Sequence, residues 1–151
     1  MLYSCVTPAP ISGHFVNIAP TQAQESEVVG KVVRFGGSII STVPQQNGTT
    51  CFVVLGLKLN SWGEPYSVKP ENFVGRFIAC AKGYYDPEIY QKNRKVTFVG
   101  KIVGTKKEKV GDFTYNYPLI DVKSLYLWSK QEENNVRFSP CWGSYSLLPC
   151  R

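Results

Sequence analysis

The chain reads as a mainly β protein that closes into a small five-stranded barrel. Three observations predict this class. Val, Tyr, Phe, Thr and Gly are plentiful while Ala and Met are scarce, a balance that favours strands and tight turns over helices. Apolar residues recur with period two in several segments bounded by turn signals, as half-buried strands require. At 151 residues, 43% hydrophobic and 19% charged, the chain is globular in composition and suits one domain with its own core. A small sheet with open edges invites aggregation, and closure removes the edges.

The elements follow in order. Residues 6–27, "VTPAPISGHFVNIAPTQAQESE", hold three prolines and many small polar residues, and read as a flexible, partly extended tether. In "VVGKVVRFGGSIISTV", Val29, Val33, Phe35, Ile39 and Val43 share one parity, with Arg34, Ser38 and Thr42 on the other. This is the first strand, bent at Gly36–Gly37. Asn47-Gly48 is a hairpin signal. The second strand, "TCFVVLGLKLN", sets Cys51, Val53, Leu55, Leu57 and Leu59 on one face and Phe52, Val54, Gly56 and Lys58 on the other. The loop "SWGEPYSVKPENF" leads to a third strand, "GRFIACAKG".

In "YYDPEIYQKNRK", Asp86 suits a helix N-cap, Pro87 the first helical position, and Glu88 complements the positive helix end. Asn93 can stop the helix in the left-handed conformation. One short helix is therefore expected between the third and fourth strands. The fourth strand, "KVTFVGKIVGT", puts Val96, Phe98 and Ile102 on one parity. A basic tip, "KKEKVGD", turns it into the fifth, "FTYNYPLIDVKSLYLW", with Ile120 and Val122 inward. This order describes an OB-like barrel. The organisation is thus residues 1–5, a tether at 6–27, a barrel at 28–129, and a C-terminal tail at 130–151.

The net charge of +6 fits either a polyanionic partner or plain solubility. One local basic group stands out, Lys101, Lys106, Lys107 and Lys109, a candidate contact for anionic lipid or glycan. No apolar run approaches the roughly 20 residues that a membrane-spanning helix needs. Five cysteines occur, Cys5, Cys51, Cys80, Cys141 and Cys150, with no C-x-x-C pair and a single histidine, His14. No metal site and no cofactor are expected. Setting Cys5 aside leaves four cysteines, which permit three connectivities and fit an oxidising compartment. Antiparallel pairing of the second and third strands brings Cys51 toward Cys80, where a bridge would stabilise by about 3 kcal/mol. Buried thiols are the alternative there. Cys141 and Cys150 bracket a short loop that they could close.

No catalytic set is visible. His14 sits alone on the tether, Asp86 serves as a cap, Asp121 faces outward, and Glu64, Glu71 and Glu88 show no pairing. The chain is therefore expected not to be an enzyme. A ligand face is expected on the solvent side of the second and third strands with the following loop: Phe52, Lys58, Trp62, Tyr84 and Tyr85. In the alternative reading, a cytoplasmic OB-fold protein binds single-stranded nucleic acid on these aromatics with Phe77, aided by the basic hairpin.

Leu2-Tyr3-Ser4-Cys5 resembles the bacterial lipobox, in which a cysteine is acylated at sulfur and at its new amino terminus. Residues 1–5 then form a lipobox remnant with Cys5 as lipidation site, carrying acyl chains such as palmitate. Several chains anchor stably where one binds marginally. By the sorting rule this resemblance carries, the absence of aspartate after Cys5 implies the outer membrane. From Cys5 to about Trp128 the chain is similar to the Slp family of starvation-inducible outer-membrane lipoproteins. The resemblance is carried by "CVTPAPISG", "VGKVVRFGGSI", "GYYDPEIY", "NRKVTFVGKIVG" and "YNYPLIDVKSLYLW". It implies a stress-related, non-catalytic structural or binding module of the Gram-negative envelope, held by Cys5 and facing the periplasm. An envelope glycan, lipid or protein is then the expected partner, and nucleic acid is not.

Overall fold

A computed structural model describes residues 6–130 and two short strands, Gly143–Ser144 (β6) and Pro149–Cys150 (β7), which pair with each other. Five long strands form the body: β1 Val32–Pro44, β2 Thr49–Leu57, β3 Phe73–Lys82, β4 Lys95–Val110 and β5 Phe113–Leu127. They close in the order β1-β2-β3-β5-β4. Every pairing is antiparallel except β3 with β5, which is parallel through Ile78–Leu119, Ala79–Ile120 and Cys80–Asp121. This is the predicted OB-like ring.

Sequence accounts for each closure. Asn47 Oδ1 accepts hydrogen bonds from the Thr49 backbone N–H and hydroxyl, and Gly48 adopts φ 85°, so the β1–β2 turn forms where the Asn-Gly pair predicts it. A Cβ on Gly37 would overlap the Leu55 carbonyl, and one on Gly100 the Asp121 carbonyl. Only glycine lets the neighbouring strands coil this tightly.

Phe35, Phe52, Phe77 and Phe98 fill the interior with Ile39, Val54, Val96, Ile102 and Ile120. Burial of each such side chain stabilises by roughly 1.5–3 kcal/mol. The parity of β2 is the reverse of the one that would expose Phe52: Phe52 and Val54 point inward and are fully buried. Both faces of this strand are apolar, so alternation does not choose between them. In β1, Ile40 is an extra residue between the pairs Ile39–Val54 and Ser41–Val53. It flips the parity beyond it, and Val43 is exposed, as is Val29 before the strand.

The expected helix between β3 and β4 is a single turn. Asp86 does cap it, its Oδ1 accepting from Glu88 N–H at 2.9 Å and its carbonyl from Tyr90 N–H at 2.8 Å. Nothing continues it, because Tyr85 and Tyr90 both turn inward onto Phe52, with ring centroids 5.7 and 5.8 Å away. Asn93 takes φ 75°, the left-handed conformation expected of it. Burial raises the Tyr90 phenol above its ordinary value of 10.0, Tyr85 adds to the rise, and the Arg94 guanidinium opposes it. The two tyrosines close one end of the barrel.

The other end is closed by the segment expected to be a free tether. Between Ala9–Ile11, Gln22–Gln24 and Ser26–Val28, three 3-10 turns, the chain is laid along the barrel. Ile11 and Ala23 are fully buried, and Ile18 and Val28 pack on the core. Apolar side chains spaced through this proline-rich stretch give it a surface to bury, which overrides the loop-like composition.

The loop after β2 folds back over the outside of β1 and β4. Thr97 is buried there; its hydroxyl donates to the Gly63 carbonyl at 2.6 Å and accepts from the Trp128 indole N–H at 2.9 Å. Thr97→Val keeps the shape and strands both partners, so it should cost about 2 kcal/mol in urea unfolding.

Candidate functional site

The five residues expected on one ligand face are not brought together. Phe52 is core, and Tyr85 covers it from the end of the barrel. Tyr84 is 69% exposed at that same end. Lys58 and Trp62 follow the opposite end of β2, about 26 Å away along a nine-residue strand. The Trp62 indole N–H donates to Glu64 Oε1 at 3.2 Å. Phe77 is also fully buried, so neither Phe52 nor Phe77 offers a face for a base to stack on.

The outer face of β2 and β3 is instead clamped. Cys51 and Cys80 are direct cross-strand partners, 4.0 Å apart at Cα, and form a disulfide. Four residues back along β3, Arg76 braces the β3–β5 seam. Its Nη1 donates to Tyr117 Oη at 3.2 Å, and its backbone N–H donates to Tyr115 Oη at 3.1 Å. Cys5 and the Cys141–Cys150 pairing fall outside the described residues.

Of the basic group, Lys106, Lys107 and Lys109 lie exposed along the β4 side of a long β4–β5 arm, not in its turn. The turn itself is Gly111–Asp112, followed by Phe113, which is 66% exposed. Lys106 Nζ pairs with Glu108 Oε2 at 3.1 Å, the one ion pair among the described residues. Lys101 lies five residues back, opposite Asp121, about 16 Å from the arm.

The geometry that sequence reading missed lies under the N-terminal segment. Ser124 Oγ donates to the Pro10 carbonyl, and Arg34 Nη1 donates to the Ile11 carbonyl at 3.1 Å. The same guanidinium lies over the Phe15 ring, 5.2 Å from its centroid. Val16 N–H then bonds to the Val32 carbonyl at 3.3 Å, and Thr21 N–H to that of Val74 at 3.2 Å. Between these fastenings the chain arches over a cavity of about 750 Å³. Phe15, Ile18 and Pro20 form the arch, and Arg34, Leu57, Lys58, Asn60 and Tyr66 the opposing wall. Gly36 lines it too. The available signal was the spacing of Ile11, Phe15 and Ile18 within the supposed tether. Among the described residues no three His, Cys, Asp or Glu side chains converge to hold a metal.

A closed OB-like barrel with a capping N-terminal segment defines the class. The chain belongs to the outer membrane lipoprotein Slp family, whose pattern matches residues 2–149. An uncharacterized lipoprotein of Escherichia coli K12, YeaY, is 31% identical over 85% of this chain and 67% of its own length. An uncharacterized protein of Haemophilus influenzae is 36% identical over 66% of this chain, which spans about half of that relative. Among solved structures, one attributed to an aspartyl-tRNA synthetase of Leishmania major Friedlin superposes with a TM-score of 0.50 at 9% identity, covering 85% of this chain and 24% of that one. That likeness concerns the fold alone. A small single-stranded DNA-binding protein of Streptomyces coelicolor gives a TM-score of 0.41 at 10% identity, over 65% of this chain and 94% of that one. The family places the protein at the outer membrane as a lipoprotein.

Proposed function

We propose that Cys5 carries the acyl chains and that the barrel is a non-catalytic structural or binding module, held close beneath the headgroups on the periplasmic side. Family membership supports the anchor, and the fastening of Pro10 and Ile11 to the barrel carries the second half of the reading. A free tether through residue 27 would reach about 75 Å from the acylated residue. With the chain fastened at Pro10, only four residues lie between Cys5 and the body, a reach of about 17 Å at full extension. A headgroup layer occupies roughly 6 Å of that. The barrel is thus positioned against the membrane surface, with little freedom to roam. The lysines of the β4–β5 arm and Phe113 at its tip supply a cationic, partly apolar contact for anionic lipid or glycan.

The test is fractionation of cells expressing the full-length gene, with intact mass of the detergent-extracted product. Acylated protein in the outer membrane, and release of Cys5→Ser into the soluble fraction, are expected. A native product that is soluble and bare at Cys5 sinks the reading. Charge reversal at Lys106 and Lys107 should weaken pelleting of the Cys5→Ser chain with anionic vesicles; unchanged pelleting discards the arm as a contact.

A further inference from the structure

We infer that the cavity under the N-terminal arch is a binding site for an amphipathic anion, a single apolar chain with a carboxylate or phosphate head. The inference extends the binding-module reading of the barrel and is independent of acylation at Cys5.

Four observations carry it. The volume of about 750 Å³ lies within the range of small-molecule sites, roughly 300–1,000 Å³. The lining is chemically mixed: Phe15 and Ile18 of the arch and Tyr66 of the facing wall offer apolar surface, and Arg34 and Lys58 stand beside Tyr66 in that wall. No carboxylate among the described residues lines the cavity, and the single ion pair among them is elsewhere, so none of their anions pairs with either cation. Arg34 is half-buried and held in place, one nitrogen donating to the Ile11 carbonyl and its face stacked on Phe15. A fixed guanidinium loses little freedom on meeting an anion and can present a pair of parallel N–H groups to a carboxylate or phosphate. The mixed lining then selects the rest of the ligand. A small hydrated anion would leave the aromatic and aliphatic wall wet, and a neutral hydrocarbon would leave the two cations unmatched.

The arch supplies an entry. Residues 17–20 span the cavity between two single backbone hydrogen bonds, Val16 to Val32 and Thr21 to Val74. Lifting this short stretch gives up the packing of Ile18 on the core and the burial of Pro20, while the strand walls remain fixed by the barrel ladder.

The experiment is isothermal titration calorimetry on the full chain carrying Cys5→Ser, purified without detergent. Decanoate, lysophosphatidylglycerol and decyltrimethylammonium are titrated below their micellar concentrations. Saturable one-to-one binding of an anionic probe is expected, at least tenfold tighter than the cationic one. The tighter of the two anions distinguishes a fatty-acid source from a phospholipid source. Arg34→Gln should weaken binding about tenfold and Lys58→Gln about threefold. Circular dichroism establishes folding first. If Arg34→Gln releases the arch and unfolds, the exposed Lys58 still carries the test. No saturable binding of either anion, equal binding of the cation, or unchanged affinity in the folded variants overturns the inference. None of these outcomes touches membrane anchorage, which the fractionation decides separately.

Discussion

Phe52→Ala should be the most damaging single substitution in the barrel, lowering stability by about 4 kcal/mol in urea unfolding. The ring is fully buried and contacts three others, Tyr85, Tyr90 and Phe98, at centroid distances of 5.7, 5.8 and 5.2 Å. Its removal leaves a cavity at the junction between the strand core and the two tyrosines that close the barrel end. These tyrosines have no other large partner of comparable depth, so the end should loosen with the core. On a domain whose whole stability is of the order of 5–15 kcal/mol, such a loss is a large fraction. Tyr84→Ala, one residue from Tyr85 but exposed, should change stability by less than about 0.5 kcal/mol. The pair of variants separates packing from surface recognition. A mild Phe52→Ala beside a damaging Tyr84→Ala would contradict the inward parity of β2.

Strand existence and order were legible because turn residues punctuate the chain at the right places. Asn47-Gly48 makes its hairpin, and Val96, Phe98 and Ile102 face inward as their spacing requires. Less legible was what depends on tertiary competition. In β2 the residues on both parities are apolar, so the sequence alone does not say which face meets the core. Phe52 wins because a large ring fills the interior, while the opposite parity carries Cys51, which a cross-strand bond to Cys80 on β3 can satisfy. The charge of "KKEKVGD" suggests a solvated turn from Lys106 onward. A strand pair solvated on both faces accepts lysine equally well, and the ladder runs on to Val110 and Phe113. The 86–93 segment carries correct helix-start chemistry yet yields one turn, because Tyr85 and Tyr90 have a better use for their rings than helix continuation permits. The cavity was hidden most completely. Its walls come from residues far apart in sequence, and the prolines of the arch mask the apolar spacing of Ile11, Phe15 and Ile18.

Removing the Cys51–Cys80 bond should lower stability by about 3.5 kcal/mol, and the melting temperature by about 10 °C, in the Cys51→Ala/Cys80→Ala double variant. The bond closes a sequence separation of 29 residues, and in the chain-entropy account that loop length sets the magnitude. The loop contains everything from β2 through the Trp62 segment to β3, including Asn60, whose Oδ1 accepts from the backbone N–H groups of Trp62 and Glu64. Constraint of the unfolded chain therefore acts on the part of the molecule that also walls the cavity through Leu57, Lys58 and Tyr66. The native ladder needs no rearrangement when the bond is lost, because Cys51 and Cys80 are already register partners between Thr50–Ala81 and Phe52–Ala79. The double variant should thus fold to the same barrel and melt earlier. Single variants should melt at least as early, since the surviving thiol is left free on the outer face. Alkylation without reductant, followed by mass measurement, should leave Cys51 and Cys80 unmodified in native protein. Alkylation of both Cys51 and Cys80, or a double variant that melts with the parent, would remove the covalent clamp from the account and leave the Arg76–Tyr117 brace and the ladder to hold that face.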